Sequence, residues 1–232
     1  MLILFDIDGT LLLTQKAGIK AMQSAAKELF GDHVTFEGVD FAGRLDPQIW
    51  AAAAQRNKID PSEHDRFRDG YLKHLRQFFE ATPTSVLLPG VRELVEALQA
   101  REDVTLGLLT GNYPETGRLK IEQAGLDPEL FPVAAWGDDG QQRTDLPLVG
   151  MRQYAELKGE PIPADRVIII GDTIHDVECA KVNGCRSLAV ATGPAYSVDD
   201  LMVTEPDLLV KDLSETDRIL EWMLNVKVPV SE

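Results

Sequence analysis

Basic residues are the scarce class in this 232-residue chain, with 23 Lys and Arg against 38 Asp and Glu and a formal net charge of −15. That balance repels a phosphate backbone or an anionic lipid surface, which argues against nucleic acid and membrane as partners. Cysteine is almost missing. Cys179 and Cys185 are the only two; their spacing is not that of a metal knuckle, and both suit a reducing compartment as small buried hydrophobes. Long apolar runs are absent, and nothing approaches membrane-spanning length. The apolar N-terminus is broken by Asp6, has no basic residue before it and is too short for a signal peptide. A cytoplasmic protein is expected. No internal repeat or low-complexity tract occurs. The composition, 44% hydrophobic and 26% charged, permits one large domain, or one domain with an insertion, around a substantial core.

What the chain does contain is alternation. LILFDI at 2–7, VTLGLLT at 104–110, RVIIIGD at 166–172 and RSLAVAT at 186–192 are short apolar runs separated by helical patterns. Strands apolar on both faces and alternating with helices predict an α/β, Rossmann-like parallel sheet covered on both sides. Val91, Leu94, Val95 and Leu98 mark one covering helix, and Leu220, Met223 and Leu224 mark another, expected from Leu213 to Asn225. The stretch from Thr14 to Ser85 breaks the pattern. Met22, Ala25, Ala26 and Leu29 form one helical stripe, Phe67, Tyr71, His74, Leu75 and Phe78 another, and an Ala-rich helix at 47–57 lies between. The expected division is a core of residues 1–14 and 86–232 with a helical cap at 15–85, rejoined through Pro89 and Gly90. Open parallel sheets bind ligands beyond their strand carboxyl ends, so a cap inserted there lies over the site and can exclude water.

Polar groups of particular kinds follow three of these strands. Asp6 and Asp8 end the first, Thr110-Gly111-Asn112 follows the second, and Asp172 and Asp176 follow the third. A buried carboxylate must find a counter-charge or be neutralised. Asp6, Asp8 and Asp172 make an all-oxygen cluster suited to a hard cation such as magnesium rather than zinc. Beside it, the Thr-Gly-Asn turn can donate to phosphoryl oxygens.

With these residues in order, the sequence resembles the haloacid dehalogenase superfamily of phosphatases over nearly its whole length. "FDIDGT" is similar to the first family motif, "LLTGN" to the second, Arg143 in "QQRTDLP" is a candidate for the third and "GDTIHD" is similar to the fourth. The resemblance implies Asp6 as nucleophile, forming an aspartyl-phosphate, and Asp8 as the acid and then the base. For both roles to coexist the two carboxylates must differ in protonation, with metal and Arg143 favouring the charged form of Asp6. It implies Mg2+ held by Asp6, the backbone carbonyl of Asp8 and Asp172, with Asp176 a direct ligand or one step behind. Thr110 and the backbone around Gly9, Gly111 and Asn112 would grip the phosphoryl group.

The third motif usually carries lysine. Arg143 precedes a helix expected near Leu146-Pro147, which is the right place; Lys120 and Lys158 fall within helices, Arg152 is a fallback, and a plain surface arginine is the bland alternative. Asp176 could simply cap a helix. His175 is left outside the site, and His33, His64 and His74 show no partner pattern. In the cap, "GRLDPQIW" supports two readings. One is a helix start with Asp46 as N-cap and Pro47 first in the helix. The other is a specificity loop in which Arg44 faces an anionic group, as in similar phosphoglycolate-phosphatase-like relatives. Asp8 argues against dehalogenases and phosphonatases, which lack that second aspartate. Hydrolysis of a small phosphorylated metabolite by a monomer or homodimer is the leading expectation. A β-phosphoglucomutase-like mutase is the alternative, and a phospho-accepting signalling protein a more distant one.

Overall fold

The computed structural model describes residues 1–82 and 85–224. Residues 83 and 84, inside the expected cap, and Asn225, the expected end of the last helix, lie outside the described residues.

The chain begins with β1 (Leu2–Phe5), four apolar residues with no measurable exposure, as a strand covered on both faces requires. β2 (Leu12–Leu13) leads out to three helices, α1 (Ala17–Phe30), α2 (Asp46–Asn57) and α3 (His64–Ala81), and β3 (Val86–Leu87) leads back. β2 and β3 pair antiparallel as a short stem, Leu12 opposite Leu87. Thereafter α4 (Val91–Gln99), β4 (Thr105–Leu109), α5 (Pro114–Gln123), β5 (Val133–Ala135), α6 (Leu146–Lys158), β6 (Val167–Gly171), α7 (Ile174–Val182), β7 (Arg186–Val190), α8 (Val198–Met202), β8 (Leu208–Val210) and α9 (Thr216–Leu224) follow in turn.

Six strands form one parallel sheet in the order β5-β4-β1-β6-β7-β8. β1 lies at its centre, and the chain runs outward first on one side of it and then on the other. This is the switch point at which such sheets open a crevice beyond their carboxyl ends. Register makes the crevice compact. Phe5 is opposite both Leu108 and Ile170, so the residues after β1, β4 and β6 emerge side by side. The Asp6 N–H donates to the Ile170 carbonyl at 2.9 Å, and the Thr110 N–H to that of Ala135 at 3.1 Å. β5 and β8 were not among the four strands expected; each has three residues, too few to display a period. α9 starts at Thr216, three residues later than expected.

The inserted helices bury their own apolar cluster. Trp50 and Phe67 stack with centroids 3.9 Å apart and planes 8° from parallel, within a group including Met22, Ala25, Tyr71 and Leu75. Burial of each large apolar side chain contributes roughly 1.5–3 kcal/mol relative to exposure. Tyr113, just before α5, belongs to the same cluster and ties insertion to core. Cys179 and Cys185 are buried and free, and burial pushes their thiols up to about 12 and about 11. Among the described residues, no helix is long and apolar enough to cross a membrane.

Candidate active site

The end of β1 carries Asp6 into the crevice, where the residue is only 6% exposed. Three residues on, Gly9 turns the chain with φ +85°, and a Cβ there would overlap the Asp172 carboxylate. Only glycine fits both demands. Thr10 donates its hydroxyl to Asp172 Oδ1 at 3.2 Å, drawing the loop after β1 to the end of β6.

Asp176 sits at the third position of α7 and closes a capping box with Thr173, whose N–H and hydroxyl donate to Asp176 Oδ2 at 3.0 and 2.6 Å. The helix-cap reading is therefore correct, yet the other oxygen has a second task. Arg143 Nε and Nη2 donate to Asp176 Oδ1 at 3.1 and 2.7 Å, and Nη2 lies 3.1 Å from Asp6 Oδ2. Arg143 is buried in a 3-10 turn just before α6. The surface reading fails for Arg143, and the fallback for the third motif, Arg152 on α6, is exposed.

Lys120 corrects the sequence reading. It lies in α5 as expected, but its ammonium enters the crevice, 2.6 Å from Asp8 Oδ2 and 2.5 Å from Asn112 Oδ1. Asn112 Nδ2 in turn donates to Asp8 Oδ2 at 2.9 Å and to Thr110 Oγ1 at 2.8 Å. The side chain of Asn112 thus positions Asp8, beyond the backbone role expected of it. Asp8 is held by these two donors while its side chain remains 42% exposed toward the cavity. One signal for Lys120 existed in the sequence: it falls on the buried stripe of α5 with Thr116, Gly117 and Ile121, a costly place for a lysine without a partner.

The strand ends and the insertion enclose a cavity of about 440 Å³. It is lined by all ten residues singled out in the sequence except Asp176, which stands behind Arg143. Arg44 lines the mouth, half-exposed, with Nε 3.4 Å from Asp40 Oδ2. The 41–46 loop seats on the second motif through its backbone. The Asp46 N–H donates to the Gly111 carbonyl at 2.7 Å, and a Cβ on Gly111 would overlap the Arg44 carbonyl. Asp46 is not an N-cap. Leu45 holds that position, and Asp46 Oδ2 instead accepts from the Tyr113 N–H at 3.1 Å. His64 also has a partner, Tyr113 Oη at 2.8 Å.

The haloacid dehalogenase-like hydrolase family model matches residues 3–190. The chain belongs to that family. Among relatives of this haloacid dehalogenase-like hydrolase, a pyrophosphatase PpaX of Listeria innocua is 25% identical, with 92% of this chain and 93% of the relative covered. A phosphoglycolate phosphatase of Pseudomonas syringae pv. tomato is 28% identical over 91% of this chain and 80% of its own length. In fold it is similar to CbbY from Rhodobacter sphaeroides in complex with phosphate (TM-score 0.71, 19% identity, 92% and 95% covered). It is also similar to a putative β-phosphoglucomutase from Thermotoga maritima (TM-score 0.64, 20% identity, 96% and 99% covered). These relationships make the protein a phosphatase-type enzyme.

The charges of this haloacid dehalogenase-like hydrolase suit a metal. Asp6, Asp172 and Asp176 are buried and present oxygens within 4.8 Å of one another. Burial pushes the Asp6 carboxyl up to about 6, against the pull of Arg143 and with Asp176 and Asp8 adding repulsion. Asp172 is raised well above the carboxylate range by burial and then by Asp6 and Asp176. Burial opposes the charge on Arg143, but Asp176 and Asp6 outweigh it. One guanidinium among three carboxylates leaves a deficit that a hard divalent cation would fill. Asp176 spends its oxygens on Arg143 and Thr173, so Asp6 and Asp172 are better placed as ligands.

Asp46 gives a pH prediction. Burial pushes its carboxyl up to about 7, with Lys120 and the Tyr113 N–H pulling the other way. A carboxyl raised on folding is ionised more readily when unfolded, so its cost is absent near pH 4 and grows as pH rises toward 7. Asp46→Asn keeps an acceptor for Tyr113. Thermal melts should find Asn and wild type alike at pH 4, with Asn several degrees higher at pH 8; equal melts at pH 8 would remove this assignment.

Proposed function

We propose that the protein hydrolyses small phosphate monoesters in two steps, with Mg2+ and an aspartyl-phosphate on Asp6. The observation that carries this reading is the unequal setting of two carboxylates two residues apart. Asp6 is buried against Arg143, whereas Asp8 is half-open to the cavity and held by Asn112 and Lys120.

Asp6 attacks phosphorus, and the bond to the ester oxygen breaks as Asp8 delivers a proton to it. In the second step Asp8 takes a proton from water, the water oxygen attacks phosphorus, and the Asp6 carboxylate leaves as inorganic phosphate is released. Lys120 and Asn112 fix the orientation from which Asp8 serves both steps. Thr110 and the backbone at Gly9, Gly111 and Asn112 surround the phosphoryl group. Mg2+, held by Asp6, Asp172 and the Asp8 main-chain carbonyl with Asp176 alongside, supplies charge neutralisation when bound. The inserted helices, residues 15–85, act as a cap that excludes bulk water. A mutase would have to hold a second phosphate on the cap side. The buried cations lining the cavity, Lys120 and Arg143, are both committed to carboxylates, which favours water as the acceptor.

Protein with Mg2+ should release phosphate from a panel of sugar, alkyl, aryl and glycolate phosphates, and chelation should stop it. Asp8→Asn should lose roughly 10²–10⁴-fold in turnover and accumulate protein one phosphoryl group heavier by mass spectrometry. Wild-type turnover without any accumulated adduct would remove Asp8 from its role.

A further inference from the structure

We propose, building on the phosphatase reading, that the physiological substrate is the phosphate monoester of an apolar alcohol, alkyl or aryl, with no second anionic group. From the stem and the insertion the cavity is lined by Leu13, Ile19, Met22, Phe41, Ile49 and Tyr71, with the exposed Gln15 and Lys16 beside them. Met22, Ile49 and Tyr71 are each under 5% exposed. Tyr71 also stacks on Phe67 and meets Tyr113 edge-on within the aromatic cluster of the insertion.

Charge on that side points the same way. A substrate carboxylate or second phosphate would need a cation. Lys120 is bound to Asp8 at 2.6 Å and to Asn112 at 2.5 Å, and Arg143 to Asp6 and Asp176. The other basic residues lining the cavity are Lys16 and Arg44, both exposed, and Arg44 is paired with Asp40. A buried acidic group, Asp46, also lines the cavity. An anionic leaving group placed here would be stripped of water against hydrocarbon and beside a carboxyl, which is costly. An apolar one would gain from the same wall. The cavity, about 440 Å³, is ample for phosphate plus a chain of several carbons.

An alkyl series separates this proposal from the phosphatase reading, because ethyl, butyl and hexyl phosphate share one leaving-group chemistry and differ in apolar length. Full-length Asp6→Asn protein in Mg2+ is titrated calorimetrically with each, and with phosphoglycolate and inorganic pyrophosphate. Wild-type kcat/KM is measured for the same compounds. Affinity and kcat/KM should each rise roughly threefold per added methylene, placing hexyl phosphate at least tenfold above phosphoglycolate and pyrophosphate. Ile49→Ala should flatten the rise. A flat or falling series, or tightest binding by phosphoglycolate or pyrophosphate, overturns the proposal. Tightening along the series without turnover by wild type would overturn the phosphatase reading and the substrate assignment with it, leaving only the apolar binding preference. A flat series with turnover would overturn the substrate assignment alone.

Discussion

Asp6→Asn should yield a folded protein that turns over phosphate esters roughly 10⁴-fold more slowly, or not at all. The substitution keeps the shape of the side chain and an oxygen for Arg143, 3.1 Å away in the wild type, but an amide cannot form the covalent adduct. The stability of the metal-free protein should move oppositely to activity. Burial holds the Asp6 carboxyl at about 6, above its ordinary value, so ionising it costs folding free energy that appears as pH rises from about 4 through 6. At pH 8 that cost is fully present in the wild type and absent in the Asn variant. Melts in chelator should find the variant equal or higher at pH 8, with the difference gone near pH 4. Mg2+ should then raise the wild-type melting temperature more than that of the variant. Near-wild-type turnover by Asp6→Asn would end the case for Asp6 as nucleophile.

Arg143→Met should damage stability and chemistry together. The guanidinium is buried between Asp6 and Asp176, and removing one partner of a buried ionic group leaves uncompensated charge, at about 3–5 kcal/mol. For a chain of this size that amounts to a fall of roughly 10 °C or more in melting temperature at pH 8. The deficit should shrink as pH drops through about 6 and below, where the Asp6 carboxyl becomes neutral and no longer needs the cation. Arg143→Lys keeps the charge but not the two-pronged grip on Asp176, and should recover part of the stability and little of the turnover. Equal melts for Met and wild type at pH 8 would show that the ion pairs carry no stability.

The parts of this molecule legible in the sequence are those whose signal is local. The LILF strand and the carboxylates after it announce themselves because apolar runs and charges are read residue by residue. Strand register then does the rest, bringing Asp6, Thr110 and Asp172 to one edge. Lys120 was hidden because the destination of a helical side chain depends on how α5 is seated, and Asp8, its partner, is 112 residues away. Asp46 misled for the complementary reason. Asp-Pro before an apolar stretch is good helix-start chemistry, but the buried N–H of Tyr113 arrives from 67 residues on and claims the carboxylate. β5 and β8 carry three residues each, and their existence depends on neighbours that supply a ladder.

The seat of the 41–46 loop on Gly111 is made by main chain: an Asp46 N–H on one side, the Arg44 carbonyl against a residue without a Cβ on the other. Side-chain identity at position 44 plays no part in those contacts. The fold therefore separates the docking of the loop from the side chain at its tip, and residue 44 is free to drift or be engineered without loosening the loop. Position 111 has no such freedom, since any side chain there would prise the loop from the Thr110-Gly111-Asn112 turn. What this loop presents to the cavity can thus change within the architecture while its backbone stays in place.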